Sequence, residues 1–331
     1  MNPRCVALIA RLADGALHSG AELAAGLGVG RAAVWKQVGE LRALGIPVES
    51  ESRRGYRLER PVELLDARAM EVAYSRACPA VPVDLAVVFE TGSTNEDLYA
   101  SPPPPPGRAR VLYAEWQHAG RGRRGRRWIA PFGSGLTFSL AWTYAETPAD
   151  LPALGLAVGI AVAEALERLG ANGVRIKWPN DLVVDDRKLG GLLLQLKSEG
   201  GGPACIVVGL GLNVDLPPRA LAGLGEAGGL AATDLCTTLG VAEVRRNELA
   251  GTLAGAVAAC LAEFGRTGFA ACVERWRRLD ALDGRRVAVM QGDGRVEGTA
   301  CGVDADGALR IDVAGRIERY YSGDVSLRPV A

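Results

Sequence analysis

The spacing of apolar residues changes along this chain, and that change limits its fold more than any other feature. In the first 44 residues they recur at helical intervals: Cys5, Leu8, Ile9 and Leu12, then Leu23 and Leu27, then Val34, Val38 and Leu41. From 83 onward strand-like runs alternate with helical ones, and from 284 short strands repeat between glycine turns. Three such patterns do not fit one layer arrangement. The chain therefore reads as an α+β protein of three units, 1–62, 63–280 and 281–331.

The first unit predicts three helices and a hairpin. Ser19 stands where a helix N-cap belongs and Glu22 follows three residues on, the spacing of a capping box. Gly26-Leu27-Gly28-Val29-Gly30 breaks the helical pattern, Arg31 restarts it, and Gly45-Ile46-Pro47 ends it. Segment 48–58 then holds two strand-like runs around Arg53-Arg54-Gly55. This is the pattern of a winged helix-turn-helix, with the two-helix motif running from Gly20 to Gly39. Val34, Val38 and Leu41 face inward on a helical wheel, leaving Ala32, Lys36 and Ala43 outward. Between 31 and 60 there are seven basic residues against four acidic ones, inside a chain of zero net charge. A DNA contact is thus expected from this local patch, through Arg31, Ala32, Lys36 and Arg54, and should be salt-dependent. Gly30 departs from the usual Ser or Thr cap before such a helix, and a winged helix used for protein contact is the alternative.

In the middle unit strands are expected at 83–90, 111–116, 136–144, 174–178, 182–184, 188–196 and 206–214. Helices are expected to start at 94, to run amphipathically over 151–169, and to recur at 249–267 and 269–279. Pro102 to Pro106 forms a stiff extended loop without ladder donors. The last unit, with short strands at 287–290, 296–303, 308–313 and 317–321, suggests a small barrel.

Four polar clusters lie near strand ends. Gly120-Arg121-Gly122-Arg123-Arg124-Gly125-Arg126-Arg127 formally matches a dinucleotide fingerprint, but Pro131 and Gly133 follow where that motif needs a helix. Its glycines allow close backbone approach, and its arginines offer planar donors to phosphate or carboxylate. Mutual repulsion predicts a loop that is mobile when empty and ordered by an anion. Ser93-Thr94-Asn95 sits between a strand and a helix start, where hydroxyls and helix N–H groups suit a small polar group. Lys177-Trp178-Pro179-Asn180-Asp181 is a proline-forced turn bearing an amide and a carboxylate. Lys188 opens an apolar strand just ahead of Gly190-Gly191. Cationic elements beside a carboxylate suit a nucleotide with its metal ion.

Composition narrows the field further. No unbroken apolar run approaches the ~20 residues of a membrane span, and no signal-like apolar segment opens the chain, so a cytoplasmic protein without membrane contact is expected. The seven cysteines include no CxxC pair and only His18 and His118 accompany them; buried free thiols are expected and no protein-only metal site.

With Gln117, Ala119 and Gly209-Leu210-Gly211-Leu212-Asn213 added, these clusters occur in an order that resembles the biotin–protein ligases. The winged helix and terminal barrel extend the likeness over nearly the whole chain, to the bifunctional ligases that also repress biotin synthesis genes. The resemblance implies a central class II synthetase-like mixed sheet and a C-terminal SH3-like β-barrel. It implies that Ser93, Thr94, Asn95 and Gln117 hold the biotin head group, while Gly120, Arg121, Gly122 and Arg123 cover biotin and the adenylate phosphate. Lys188 would contact the biotin carboxylate and the α-phosphate, with Lys177, Trp178, Asn180, Asp181 and Asn213 on the ATP side. Arg123, Lys188 and Asp181 are then the catalytic candidates, Mg²⁺ accompanies ATP, and biotin is its own nucleophile. The implied partners are a biotin carboxyl carrier domain of acetyl-CoA carboxylase or a similar acceptor, operator DNA, and a second copy of the chain once adenylate is bound.

Some features depart from the family pattern. Segment 217–235 lacks the aromatic residue that some relatives place over the adenine, and Leu230 is a substitute to consider. Pro102 to Pro106 is unusual, and His118 is left as a spectator. A lipoate-type ligase, which shares the catalytic fold, a repressor whose enzyme-like domain only senses ligand, and a ligase whose winged helix has no DNA role remain as alternatives.

Overall fold

The computed structural model describes residues 1–198, 203–224, 230–291, 294–321 and 324–326. Its first unit comprises α1 (Pro3–Leu12), α2 (Gly20–Leu27), α3 (Arg31–Ala43) and a two-stranded wing, β1 (Val48–Glu51) with β2 (Gly55–Leu58). The capping box is present: the Ser19 hydroxyl accepts from Glu22 N–H and the Glu22 carboxylate from Ser19 N–H. Gly28, left-handed at φ 63°, closes α2 and gives the turn into α3. Leu8, Ile9, Leu12, Leu23, Val34, Val38 and Leu41 form the core, and Phe132 from the middle of the chain completes it.

The second unit is built on a seven-stranded sheet of order β3-β4-β5-β9-β8-β7-β6. Its strands are β3 (Val83–Thr91), β4 (Ala109–Gln117), β5 (Gly135–Tyr144), β6 (Arg175–Lys177), β7 (Asp181–Val184), β8 (Arg187–Ser198) and β9 (Ala204–Asn213). Only β3 and β4 pair in parallel. Alternation assigns the two faces. Phe138, Leu140 and Trp142 of β5 and Ile206, Val208, Leu210 and Leu212 of β9 point into the main core. That core is closed by α4 (Ala67–Ala77), α6 (Leu154–Arg168), α9 (Arg246–Thr267) and α10 (Val273–Leu279). On the other face Leu98 of α5 (Thr94–Ala100) packs on Ala141, Cys205 and Val207. Two short helices, α7 (Pro218–Leu224) and α8 (Leu235–Leu239), follow β9.

Several expectations change here. The helix expected over 151–169 starts with a 3₁₀ turn, and α6 is buried nearly all round rather than amphipathic. The sheet and α9 cover it, and the Gly307 turn of the third unit reaches Ala153 and Leu156. α4 went unforeseen; its apolar face is only Met70, Ala73 and Tyr74, and Asp66 caps it. Although no unbroken apolar run was found, the helix Arg246–Thr267 is long and apolar enough to cross a membrane by length and composition. It is a core helix, with Leu249, Leu253, Val257 and Leu261 fully buried.

The third unit is a five-stranded antiparallel sheet of order β13-β12-β11-β10-β14. It comprises β10 (Arg286–Gln291), β11 (Gly294–Val303), β12 (Leu309–Val313), β13 (Arg316–Tyr320) and β14 (Asp324–Ser326). One half of β11 pairs with β10 and the other with β12, and a bulge between Ala300 and Val303 bends the strand. Such a bend curls a small sheet toward a barrel. All seven cysteines are free, and burial pushes the Cys236 thiol up to about 11 and the Cys260 thiol up to about 12.

Candidate active site

The α5 face of the sheet opens a cleft where its strands carry no bulk. In β9 the apolar residues 206, 208, 210 and 212 face the core, so Gly209 and Gly211 face the cleft. Both positions are filled by other chain segments. A Cβ on Gly209 would lie 2.4 Å from Asn95 Oδ1, and one on Gly211 2.4 Å from Cε2 of Trp128. The glycines thus let α5 and the end of the arginine loop settle directly on the sheet.

At one end of the cleft, Ser93, Thr94 and Asn95 open α5, all buried. Gln117 Oε1 accepts from the Thr94 N–H at 2.8 Å, and the Thr94 and Ser139 hydroxyls share a 2.7 Å bond. Ser139 Oγ donates to Asn95 Oδ1 at 2.7 Å, while Asn95 Nδ2 donates to Gln195 Oε1 at 2.6 Å. This network fixes the polar groups before any ligand arrives, which is what selective recognition of a small head group requires.

At the other end, β7 and β8 bring Asp181 and Lys188 together, Nζ to Oδ1 at 2.6 Å, with the ammonium 5.9 Å above the Trp128 ring. A register shift between Leu182 and Val183 sets Lys188 opposite Val183. Asn180 Nδ2 donates to Leu192 O and so holds the preceding turn on β8. Segment 231–233 runs beside Lys188: Lys188 N–H donates to Ala231 O and Thr233 N–H to Lys188 O. Leu230, the proposed adenine neighbour, directly precedes this segment; 225–229 lie outside the described residues.

The glycine–arginine loop bridges the two ends. Gly122 N–H donates to Arg126 O at 2.7 Å and Trp128 N–H to Gly120 O at 2.9 Å, so the loop is a closed hairpin without a following helix. Arg124, at φ 55°, and Gly125, at φ 73°, turn its tip. Arg121 pairs with Glu96 at 2.7 Å, one residue past Ser-Thr-Asn, and Arg123 donates to Asn180 Oδ1 at 3.3 Å. Arg127 donates to His118 O. These partners offset the repulsion among the arginines, and the loop is folded in the structure.

The structure brings Ser93, Thr94, Asn95, Gln117, Gly120, Arg121, Gly122, Arg123, Asn180, Asp181 and Lys188 around one cleft. Three nucleotide candidates stand differently. Trp178 is buried in the core and its indole N–H donates to Gly307 O at 3.2 Å. Asn213 is buried and donates to Lys188 O and Thr233 O, holding strands rather than opening to the cleft. Lys177 is half-buried on β6. The sequence reading missed Trp128, Glu96, Ser139 and Gln195; the bare glycines of Gly209-Leu210-Gly211 signal that something bulky settles on the strand but not which segment supplies it.

On the first unit, Arg31, Ala32 and Lys36 are exposed along α3 as expected, and α3 has no side-chain cap at Gly30. The wing differs. Arg54 pairs with Glu51 and Arg57 with Glu49, whereas Arg53 at the tip has no acidic partner among the described residues. Exposed pairs of this kind are weak enough to exchange for phosphate.

Comparison with known proteins places the chain in a family. A helix-turn-helix domain model matches 7–57, the biotin/lipoate A/B protein ligase family model 91–213, and the biotin protein ligase C-terminal domain model 284–328. The bifunctional ligase/repressor BirA of Salmonella typhimurium is 37% identical over 97% of this chain and 96% of its own length. The chain belongs to the bifunctional biotin ligase/repressor family. A Bacillus subtilis member is 28% identical over 93% of each chain, and the biotin–[acetyl-CoA-carboxylase] ligase of Paracoccus denitrificans is 33% identical over 67% of this chain and 92% of its own. Among solved structures, the Aquifex aeolicus biotin protein ligase in complex with biotin and ATP aligns at TM-score 0.61 and 28% identity, covering 75% of this chain and 99% of that one.

Proposed function

We propose that this chain is an ATP-dependent biotin–protein ligase that also represses biotin synthesis genes, with biotinyl-5'-AMP as both intermediate and signal. The observation that carries the reading is the loop's span: Arg121 reaches the helix of Ser93-Thr94-Asn95 while Arg123 reaches the turn beside Asp181 and Lys188. A ligand with a polar head at one end and a phosphate at the other fits beneath it.

Biotin's head group takes the prearranged polar groups of Ser93, Thr94, Asn95 and Gln117. Its carboxylate attacks the α-phosphorus of ATP and pyrophosphate leaves. Arg123 and Lys188 neutralise charge that builds in that step, and Asp181 aims Lys188. Lys177, Asn180 and Leu230 border the nucleotide. No group of three or more acidic, His or Cys ligands occurs among the described residues, and Mg²⁺ would come with ATP, carried by its phosphates. When bound, that ion neutralises phosphate charge. The loop excludes water from the mixed anhydride. An acceptor lysine amine then attacks the anhydride carbonyl and AMP leaves; the acceptor is a biotin carboxyl carrier domain of acetyl-CoA carboxylase or a similar protein. Unit boundaries at 62 and 280 and a cytoplasmic setting complete the reading, as does an adenylate-promoted dimer on operator DNA.

Purified protein with labelled biotin, ATP and a carrier domain should label one lysine; absence of transfer, or equal transfer of lipoate, would sink the ligase assignment. Gel shift on DNA upstream of biotin synthesis genes should require biotin and ATP together. Binding that ignores them would defeat the repressor half.

A further inference from the structure

Among the described residues the most exposed large apolar side chain is Trp35, 71% accessible, in the middle of α3. Among the described residues it has no hydrogen-bond or ring partner. Two of its neighbours one turn away on the same face are small: Ala32 is exposed, and a Cβ placed on Gly39 would meet nothing within 4 Å. The ring therefore stands clear of the backbone around it, with Arg31 four residues before it as the other long side chain of that face. The exposed cations Arg31 and Lys36 flank it on the helix, and Arg53 stands at the wing tip. That charge matches a polyanion rather than a neutral protein face.

We infer that Trp35 is a base-reading residue, recognising thymine in the major groove of the DNA that this unit binds; the inference rests on the repressor reading above. An indole offers an apolar body and one N–H donor, with no acceptor. Thymine presents an apolar methyl and the O4 acceptor on its major-groove edge, whereas the other bases present no such pair. Cations that contact phosphate position the helix, and the projecting indole adds a side chain able to report a thymine edge.

The test uses the full-length protein with biotin and ATP. A randomised duplex pool is selected for binding, and each thymine of the enriched site is then replaced by deoxyuridine, which lacks only the methyl. One thymine per half-site should weaken wild-type binding when so replaced. Trp35→Ala should bind the selected site on the order of tenfold less tightly, about the loss of one correct base pair, with non-specific binding unchanged. Its deoxyuridine scan should be flat, and Trp35→Phe, which keeps a ring without the N–H, should stay sensitive. The thermal midpoint of Trp35→Ala should stay close to that of wild type, because the ring is 71% accessible. If wild type enriches a site yet its deoxyuridine scan is flat, or Trp35→Ala binds that site equally well, Trp35 does not read bases while the repressor reading stands. If wild type enriches no sequence, the repressor reading falls and takes this inference with it.

Discussion

Replacing Lys188 by Met tests the centre of the proposed chemistry. The ammonium is held 2.6 Å from Asp181 and is about one-third exposed, at 31%. Adenylation brings two anions together at this point, and a unit charge about 4 Å away contributes about 4 kcal/mol at an effective dielectric near 20. Partial exposure lowers that to about 3 kcal/mol, in the range measured for deleting one preorganised donor at a transition state. The rate of adenylate formation should fall on the order of a hundredfold. Biotin-dependent exchange of pyrophosphate into ATP isolates this step from lysine transfer. Lys188→Arg keeps the charge and should recover most of the loss. The 2.6 Å contact adds a sharper expectation: Asp181 acts mainly through Lys188, so Asp181→Asn imposed on Lys188→Met should cost less than about threefold more. Exchange within about threefold of wild type in Lys188→Met, or a full further loss in the double variant, would refute the assigned roles.

Three other perturbations follow from the same geometry. Gly211→Ala places a Cβ 2.4 Å from the Trp128 ring, so the cleft floor must move; calorimetry should show biotin binding weakened on the order of tenfold, with an overpacking cost of about 1–3 kcal/mol. Glu115→Ala strips the carboxylate from Arg246, a pair 2.9 Å apart with side chains 3% and 4% exposed, and orphans the Leu65 N–H. Breaking such a buried pair costs about 3–5 kcal/mol, which should lower the thermal midpoint by roughly 6–20 °C; replacing both partners by Met should recover only part of it, because the Leu65 N–H, Glu63 O and Gly135 O stay without those partners. Burial pushes the Asp280 carboxyl up to about 6 from 3.8, outweighing its bonds from the Leu282 N–H and the Trp276 indole. The folded protein thus retains a proton that the unfolded chain releases. The resulting stability is full below the unfolded value and is lost as pH rises through about 6; Asp280→Asn should flatten urea midpoints between these limits.

The central strands were legible because they are short apolar runs bounded by turn residues and buried on both faces. The run 206–214 was read nearly end to end, since its core-facing residues are all aliphatic and Ala204–Asn213 pairs on both sides. α4 was not legible because its apolar face is short, Met70, Ala73 and Tyr74, and its partner α9 lies far along the chain. The site motifs were readable as clusters, but their mutual placement was not. Arg123 meets Asn180 and Asn95 meets Gln195 across 57 and 100 residues of sequence, contacts that only sheet order supplies. Trp178 stands apart from its motif. It sits inside the most specific motif of the chain, yet the strand–turn geometry sends its side chain into the core while its neighbours line the cleft.

The joint between the first two units bears on why one small molecule can serve both halves of the proposed function. The segment that roofs the cleft does not end there. Four residues after Trp128, Phe132 is inserted into the core of the winged helix and stacks on Phe89 at 5.8 Å. Gly133, at φ 71°, has room for no Cβ because Val62 would lie 2.7 Å away. Arg60, just past the wing, donates to Asp215 and Ser134. Arg246 then ties Glu63 O to Glu115 and Gly135 O, and Asn247 ties Glu63, Leu64 O and the Asp66 N–H. Close-packed contacts of this kind do not deform continuously; a shift at one end is either absorbed at a weak point or passed on. The loop tip is exposed and rich in glycine, so small displacements of Arg124 and Gly125 are absorbed there. From Trp128 onward the chain is tied down at intervals: the ring rests on Gly211, Phe132 fills the neighbouring core and Gly133 is wedged against Val62, while Ile129 between them is exposed. Seven residues of continuous chain, 128–134, thus join the base of the loop to the core of the winged helix, the route the fold offers for one ligand to reach both halves of the proposed function.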